Sequence, residues 1–153
     1  MNFIIVRKPF VDEAEAINAL MRAHADKGVL LQRDVDEIRN AIDTFIVAEL
    51  NEKVIGAVSR YDYGQGLIEV RSLVVDDEHG KGGIGSVLVK NLIRVLLRDG
   101  AKKIFALSYS PDFFKKNGFI EVPKETLPEK IWKDCRFCKD RDNCGETALV
   151  YKI

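Results

Sequence analysis

Four glycines, Gly80, Gly82, Gly83 and Gly85, crowd the junction between a strand-like run and a segment in which Ile84, Val87, Leu88, Leu92, Val95 and Leu96 recur at helical spacing. The first N–H groups of a helix have no intrahelical acceptor and its dipole favours negative charge there, so such a junction can hold a phosphate. Glycines lack Cβ atoms, which lets an anion approach the main chain closely. The same residues would also make a tight strand-to-helix turn, so the two readings are a phosphate cradle and a turn. Because Gly82 follows Lys81 where Ser or Thr would be needed, a P-loop is excluded. A dinucleotide loop is also set aside.

The strand that feeds this loop carries Glu69 and Arg71. Strict alternation puts Glu69, Arg71 and Leu73 on one face and Val70, Ser72 and Val74 on the other. Two charges on a central strand cost on the order of several kcal/mol if buried unpaired. They therefore form a pair on a solvated face or line a wet cleft, and the cleft is the sharper reading. A third group that could do chemistry is Cys135, Cys138 and Cys144. An odd number of cysteines this close together is not the framework of a secreted disulfide protein. Reduced thiols are one option. A zinc site is the other, with His79 or Glu146 as the fourth ligand.

Composition narrows what these groups act on. The chain has 153 residues, 31% charged and 46% apolar, which fits a single packed domain over 1–153 with a cysteine-containing tail over 127–146. Its 24 basic and 24 acidic residues cancel, so there is no electrostatic footprint for nucleic acid or an anionic membrane, and a small-molecule substrate is expected. The longest apolar run is too short for a membrane span, and MNFIIVRKPF lacks a signal-peptide core. A cytoplasmic location is expected, with homodimerisation left open.

The elements that must position the loop read in order. A strand over 3–6 ends at Pro9, and a helix follows, capped by Asp12 with Glu15 and stopping before Gly28. A polar helix spans 34–41. Runs over 44–50 and 53–61, separated by Asn51-Glu52, make a hairpin; Gly64 and Gly66 turn the chain into the strand over 67–75. The helix from Gly83 stops at Asp99-Gly100. A strand over 103–109, a short helix from Pro111 and strands over 119–122 and 147–153 complete the order β-α-α-β-β-β-α-β-α-β-(α)-β. Hairpins among the middle strands make this an α+β fold, a mostly antiparallel mixed sheet with helices on both faces.

Gly83-Ile84-Gly85 resembles the acetyl-CoA pyrophosphate loop, R/Q-x-x-G-x-G/A, of the GCN5-related N-acetyltransferases, with Gly80 in place of the usual Arg or Gln. F-F-K-K-N-G-F, ending at Phe119, is similar to that family's Y-x-x-x-G-F, with Phe114 at the Tyr position. GVLLQR, IEVRSLVV, LSYSPDFFKKNGF, LPEKIW and the C-x2-C-x5-C-G-E-T-A tail resemble the short, single-domain N-acetylglutamate synthases. The resemblance implies a GNAT fold and acetyl-CoA as co-substrate. It also implies L-glutamate as the acceptor, in arginine biosynthesis, with another small amine or a non-catalytic acetyl-CoA- or metal-binding module as alternatives. It assigns the pantetheine to the main chain of Leu73, Val74 and Val75, and the pyrophosphate to Lys81, Gly82, Gly83, Gly85 and Ser86; Phe114 joins the cofactor site. Glutamate's two carboxylates and amine then call for cations and a base: Arg33, Arg71 and Lys130 for the acids and Glu69 for the amine. Phe114 has no proton to give, so Tyr109 becomes the candidate acid, with Ser108 or Ser110 behind it.

Overall fold

A computed structural model describes residues 3–25, 34–79, 82–127 and 147–153 of the chain. Strand β1 (Ile4–Arg7) leads through a 3-10 turn into helix α1 (Ala14–Ala25), and helix α2 (Val35–Asn40) follows. The helix entry differs from the Asp12/Glu15 cap expected from sequence. The Phe10 N–H donates to Glu13 Oε1 at 2.8 Å, and Arg7 holds that carboxylate with two bonds of 2.8 Å while also donating to Glu49 at 2.9 Å. An acid tied to a half-buried arginine is the better-placed acceptor, so the turn forms around Glu13. At α2 the Asp34 side chain accepts from Asp36 N–H at 3.0 Å.

Strands β2 (Phe45–Leu50), β3 (Lys53–Asp62) and β4 (Leu67–Val75) form the antiparallel run read from the sequence. Asn51 and Glu52 both have positive φ, 51° and 67°, and close a two-residue turn between paired Leu50 and Lys53. Helix α3 (Ile84–Arg98) crosses to β5 (Lys103–Ser108), which lies parallel to β4. Helix α4 (Pro111–Lys116), β6 (Phe119–Val122) and β7 (Thr147–Tyr151) complete a seven-stranded sheet of order β1-β2-β3-β4-β5-β7-β6. The bracketed helix falls outside the described residues. Gly80, Gly82 and Gly85 do keep the G-x-G-x-x-G spacing of a dinucleotide loop. The sheet decides against that reading, because β4–β5 is its single parallel pair among the described strands.

Both faces of the sheet are covered. On one, Ile84, Leu88, Leu92 and Leu96 with Val89 and Ile93 make the buried stripe of α3, packed on Ile55, Val58, Ile68, Val70 and Ile104. Each such side chain contributes about 1.5–3 kcal/mol by leaving water. On the other, Ala14, Ile17 and Met21 of α1 and Ile38 of α2 pack on Val47, Ala57 and Val74.

Strict alternation fails in β4. Ala57 pairs with Val74 and Ser59 with Arg71, so Ser72 and Leu73 together oppose Val58 in a β-bulge, and Ser72 has φ +55°. Leu73 therefore does not share the face of Glu69 and Arg71. It packs with Ile68, Val70 and Val75 towards α3, while Val74 turns to the α1 side. Among the described residues no helix is long and apolar enough to cross a membrane.

Candidate active site

The candidate site lies where β4 and β5 part. Their ladder has three pairs, Leu67 with Lys103, Ile68 with Ile104 and Glu69 with Phe105, and none beyond. Among the described residues the β5-facing flank of β4 from Val70 to Val75 has no strand partner, which leaves the main chain of Leu73, Val74 and Val75 beside the gap between the two strands. At the top of that opening stands the glycine junction. Gly83 caps α3 with φ +80°, and its carbonyl accepts from Val87 N–H at 3.1 Å. The N–H groups of the first turn then point out of the helix without intrahelical acceptors. A Cβ on Gly85 would lie 3.2 Å from the Phe113 ring and 3.8 Å from Val75 Cγ2, so this glycine is wedged between the end of β4 and the start of α4.

Two further contacts fix the junction. Asn117, 7% exposed, donates to the Ser86 hydroxyl at 3.2 Å and to the Phe113 carbonyl at 2.9 Å, tying the start of α3 to the end of α4. Phe114, expected at the cofactor site, is 5% exposed. It faces the core, edge-on to Phe113 and Phe119 with centroids 5.1 Å away in each case. On a helix, neighbours are turned about 100° apart, so the two phenylalanines cannot face the same way; Phe113 is the one that reaches the glycine loop.

Glu69, 7% exposed, sits at the last paired position of the β4–β5 ladder. Its Oε1 accepts from Arg71 Nε at 2.6 Å and from the Tyr63 hydroxyl at 3.0 Å, and Arg71 Nη2 donates to the same hydroxyl at 2.7 Å. The Arg71 guanidinium lies 4.2 Å above the Tyr61 ring, a cation–π contact. Burial works against the charge on Arg71, but the Glu69 carboxylate outweighs it through its field and hydrogen bond, and the guanidinium is held above its ordinary value. Burial, and then the Glu69 charge, push the Tyr63 hydroxyl up to about 12. A buried carboxylate beside a part-exposed guanidinium has the chemistry to take a proton from an amine and hold an acid.

Tyr109 follows β5 at the end where the strands separate and is 57% exposed. Ser108 Oγ accepts from Ser110 N–H at 2.9 Å, bending the chain towards α4. Arg33, Lys81 and Lys130 lie outside the described residues, as do Gly80, Cys135, Cys138, Cys144 and Glu146. His79 is described, beside Asp76 and Glu78 in the turn after β4. Tyr63, Tyr61, Phe113 and Asn117 were not anticipated. The signal for the tyrosines was present in the hairpin, where pairing Asp62 with Ile68 across Gly64–Gly66 sets Tyr61 opposite Glu69.

A sheet that parts between two parallel strands, over a glycine-rich helix start and beside a carboxylate–guanidinium pair, fits an acyltransferase. The acetyltransferase (GNAT) family model matches residues 13–119, and the chain belongs to that family as an N-acetyltransferase. It is 38% identical over 145 residues, 95% of this chain and 94% of the relative, to an uncharacterized N-acetyltransferase of Chlorobaculum tepidum. It is 28% identical over 136 residues, 86% of this chain and 78% of the relative, to an amino-acid acetyltransferase of Mycobacterium tuberculosis. Among solved structures it is similar to N-acetylglutamate synthase from Neisseria gonorrhoeae complexed with coenzyme A and N-acetyl-glutamate. That match has a TM-score of 0.87 and 26% identity and covers 97% of this chain but 35% of the Neisseria chain.

Proposed function

We propose that this enzyme transfers the acetyl group of acetyl-CoA to the α-amine of L-glutamate, the N-acetylglutamate-forming step of arginine biosynthesis. The observation that carries the reading is the Glu69–Arg71 pair at the point where β4 and β5 separate. In this reading the carboxylate is the proton acceptor and the guanidinium holds an acceptor carboxylate, side by side where the strands part. The M. tuberculosis amino-acid acetyltransferase and the Neisseria synthase, complexed with coenzyme A and N-acetyl-glutamate, support the choice of donor and acceptor.

In this reading the pyrophosphate takes hydrogen bonds from N–H groups at Gly82, Gly83, Gly85 and Ser86, with Lys81 adding charge. The pantetheine arm pairs with the main chain of Leu73, Val74 and Val75 along the vacant flank of β4. Arg71, with Arg33 and Lys130, binds the two carboxylates of glutamate. Glu69 takes a proton from the ammonium, directly or through a water, and the freed amine attacks the thioester carbonyl. Main-chain N–H groups near Leu73 and Val74 stabilise the oxyanion. Collapse breaks the C–S bond, Tyr109 gives its proton to the departing thiolate, and the second proton leaving the nitrogen returns to the tyrosinate through solvent.

Thiol release from acetyl-CoA across a panel of amino acids and polyamines tests the assignment. Glutamate is expected to give the highest kcat/KM. A rate with alanine or spermidine equal to that with glutamate overturns it.

A further inference from the structure

Arginine and carboxylate groups in contact ordinarily close into a fork, with two parallel N–H···O bonds. Glu69 and Arg71 do not. Both bonds that Glu69 accepts end on Oε1, from Arg71 Nε at 2.6 Å and from Tyr63 at 3.0 Å. The second arm of the fork, Arg71 Nη2, is taken by the Tyr63 hydroxyl at 2.7 Å. Among the described residues, Glu69 Oε2 and Arg71 Nη1 have no hydrogen bond to another residue.

We propose that Tyr63 is a positioning residue that keeps this fork open. Its hydroxyl stands where Oε2 would otherwise meet Nη2, accepting from the guanidinium and donating to the carboxylate. Each charged group is thus held at one end and open at the other: Oε2 for the proton of the acceptor amine, Nη1 for an acceptor carboxylate. The tyrosine is itself fixed. Its ring lies edge-on to Tyr61 at 4.7 Å and tilted on Phe105 at 5.8 Å, and its N–H donates to the Leu67 carbonyl at 2.9 Å. Burial and the Glu69 charge keep the hydroxyl protonated, so it remains a donor to the carboxylate across the neutral range.

The inference rests on the roles given above to Glu69 and Arg71, and its test separates the two. Tyr63→Phe keeps the ring contacts and removes only the oxygen, so the fork can close. With glutamate as acceptor, kcat is expected to fall at least tenfold and the acceptor KM to rise at least tenfold, while the KM for acetyl-CoA stays within twofold and the thermal midpoint within a few degrees. A merely structural tyrosine would shift the midpoint and leave the ratio of the two KM values unchanged. Lysine cannot form the fork, so in an Arg71→Lys background Tyr63→Phe is expected to cost less than threefold. Wild-type activity on glutamate with unchanged kinetics in Tyr63→Phe, or equal losses in both backgrounds, overturns the role of Tyr63 alone. Wild-type protein that acetylates no amino acid overturns the assigned reaction and this inference with it.

Discussion

Replacing Glu69 by Gln separates the stability of the cleft from its chemistry. Glutamine keeps the volume and a carbonyl oxygen for Tyr63 and Arg71, and removes only the charge. A hydrogen bond to a charged group is worth about 1.5–3 kcal/mol net and a neutral one about 0.5–1.5 kcal/mol. The Arg71 side chain is 40% exposed, so water takes up part of the lost interaction. The stability cost is therefore about 1 kcal/mol, a fall in thermal midpoint of about 2–4 °C for a chain of this size. If Glu69 is the base, the rate falls by about 10²–10⁴, equivalent to about 2.7–5.4 kcal/mol of barrier. The rate effect exceeds the folding effect several-fold, so the variant is folded and slow. Thiol release at saturating acetyl-CoA and glutamate, paired with thermal unfolding of the same preparation, measures both. A kcat within threefold of wild type refutes the role of Glu69.

Gly85→Ala places a methyl group 3.2 Å from the Phe113 ring at the mouth of α3; coenzyme A affinity by calorimetry should drop about tenfold, about 1.4 kcal/mol, and an unchanged affinity argues that the loop is only a turn. Ser72 holds φ +55°, where a β-branched side chain is strained, so Ser72→Val should be about 1–2 kcal/mol less stable to urea than Ser72→Gly. The Arg7 guanidinium holds the Glu13 carboxyl below its ordinary 4.5, chiefly through their hydrogen bond, with burial opposing. A lowered folded value means stability that is present above pH 4.5 and lost as pH falls through the folded value. The thermal midpoint should accordingly drop below pH 4.5, and drop less in Glu13→Gln.

The elements that were legible in the sequence are those fixed by local spacing. Ile84, Leu88, Leu92 and Leu96 at intervals of four announced α3, and Asn51-Glu52 announced the tight hairpin. Glu69 and Arg71 were legible because charge on a central strand has few physical explanations. The residues that were misread or missed depend on partners far along the chain. Asp12 lost the helix cap to Glu13 because Arg7 and Glu49, from two different strands, converge on one site. Tyr63 could be joined to Glu69 only by counting register across Gly64–Gly66. Which of Phe113 and Phe114 met the glycine loop depended on the phase of a six-residue helix, and the pattern of two adjacent phenylalanines carries no phase.

The bulge at Ser72 shows why the simplest rule failed where the function is proposed to lie. Under strict alternation Leu73 and Val75 would stand with Glu69 and Arg71, and Val74 would face α3. One extra residue reverses this, so Ile68, Val70, Leu73 and Val75 all pack towards α3, and the polar pair shares its face with Val74. A bulge also bends its strand and increases its local twist. Here it begins three residues after Glu69, the last residue of β4 that β5 pairs with. The same insertion therefore keeps the core beneath α3 continuous and turns β4 away from β5. Its two residues opposite one are also removed from the regular ladder, which suits the role proposed for the main-chain donors near Leu73. A Ser72 deletion would restore alternation with Leu73 and Val75 still towards α3 and Val74 still beside the polar pair; it should keep most of the core while straightening β4, so coenzyme A affinity by calorimetry should fall, and unchanged affinity would separate the bulge from the opening of the sheet.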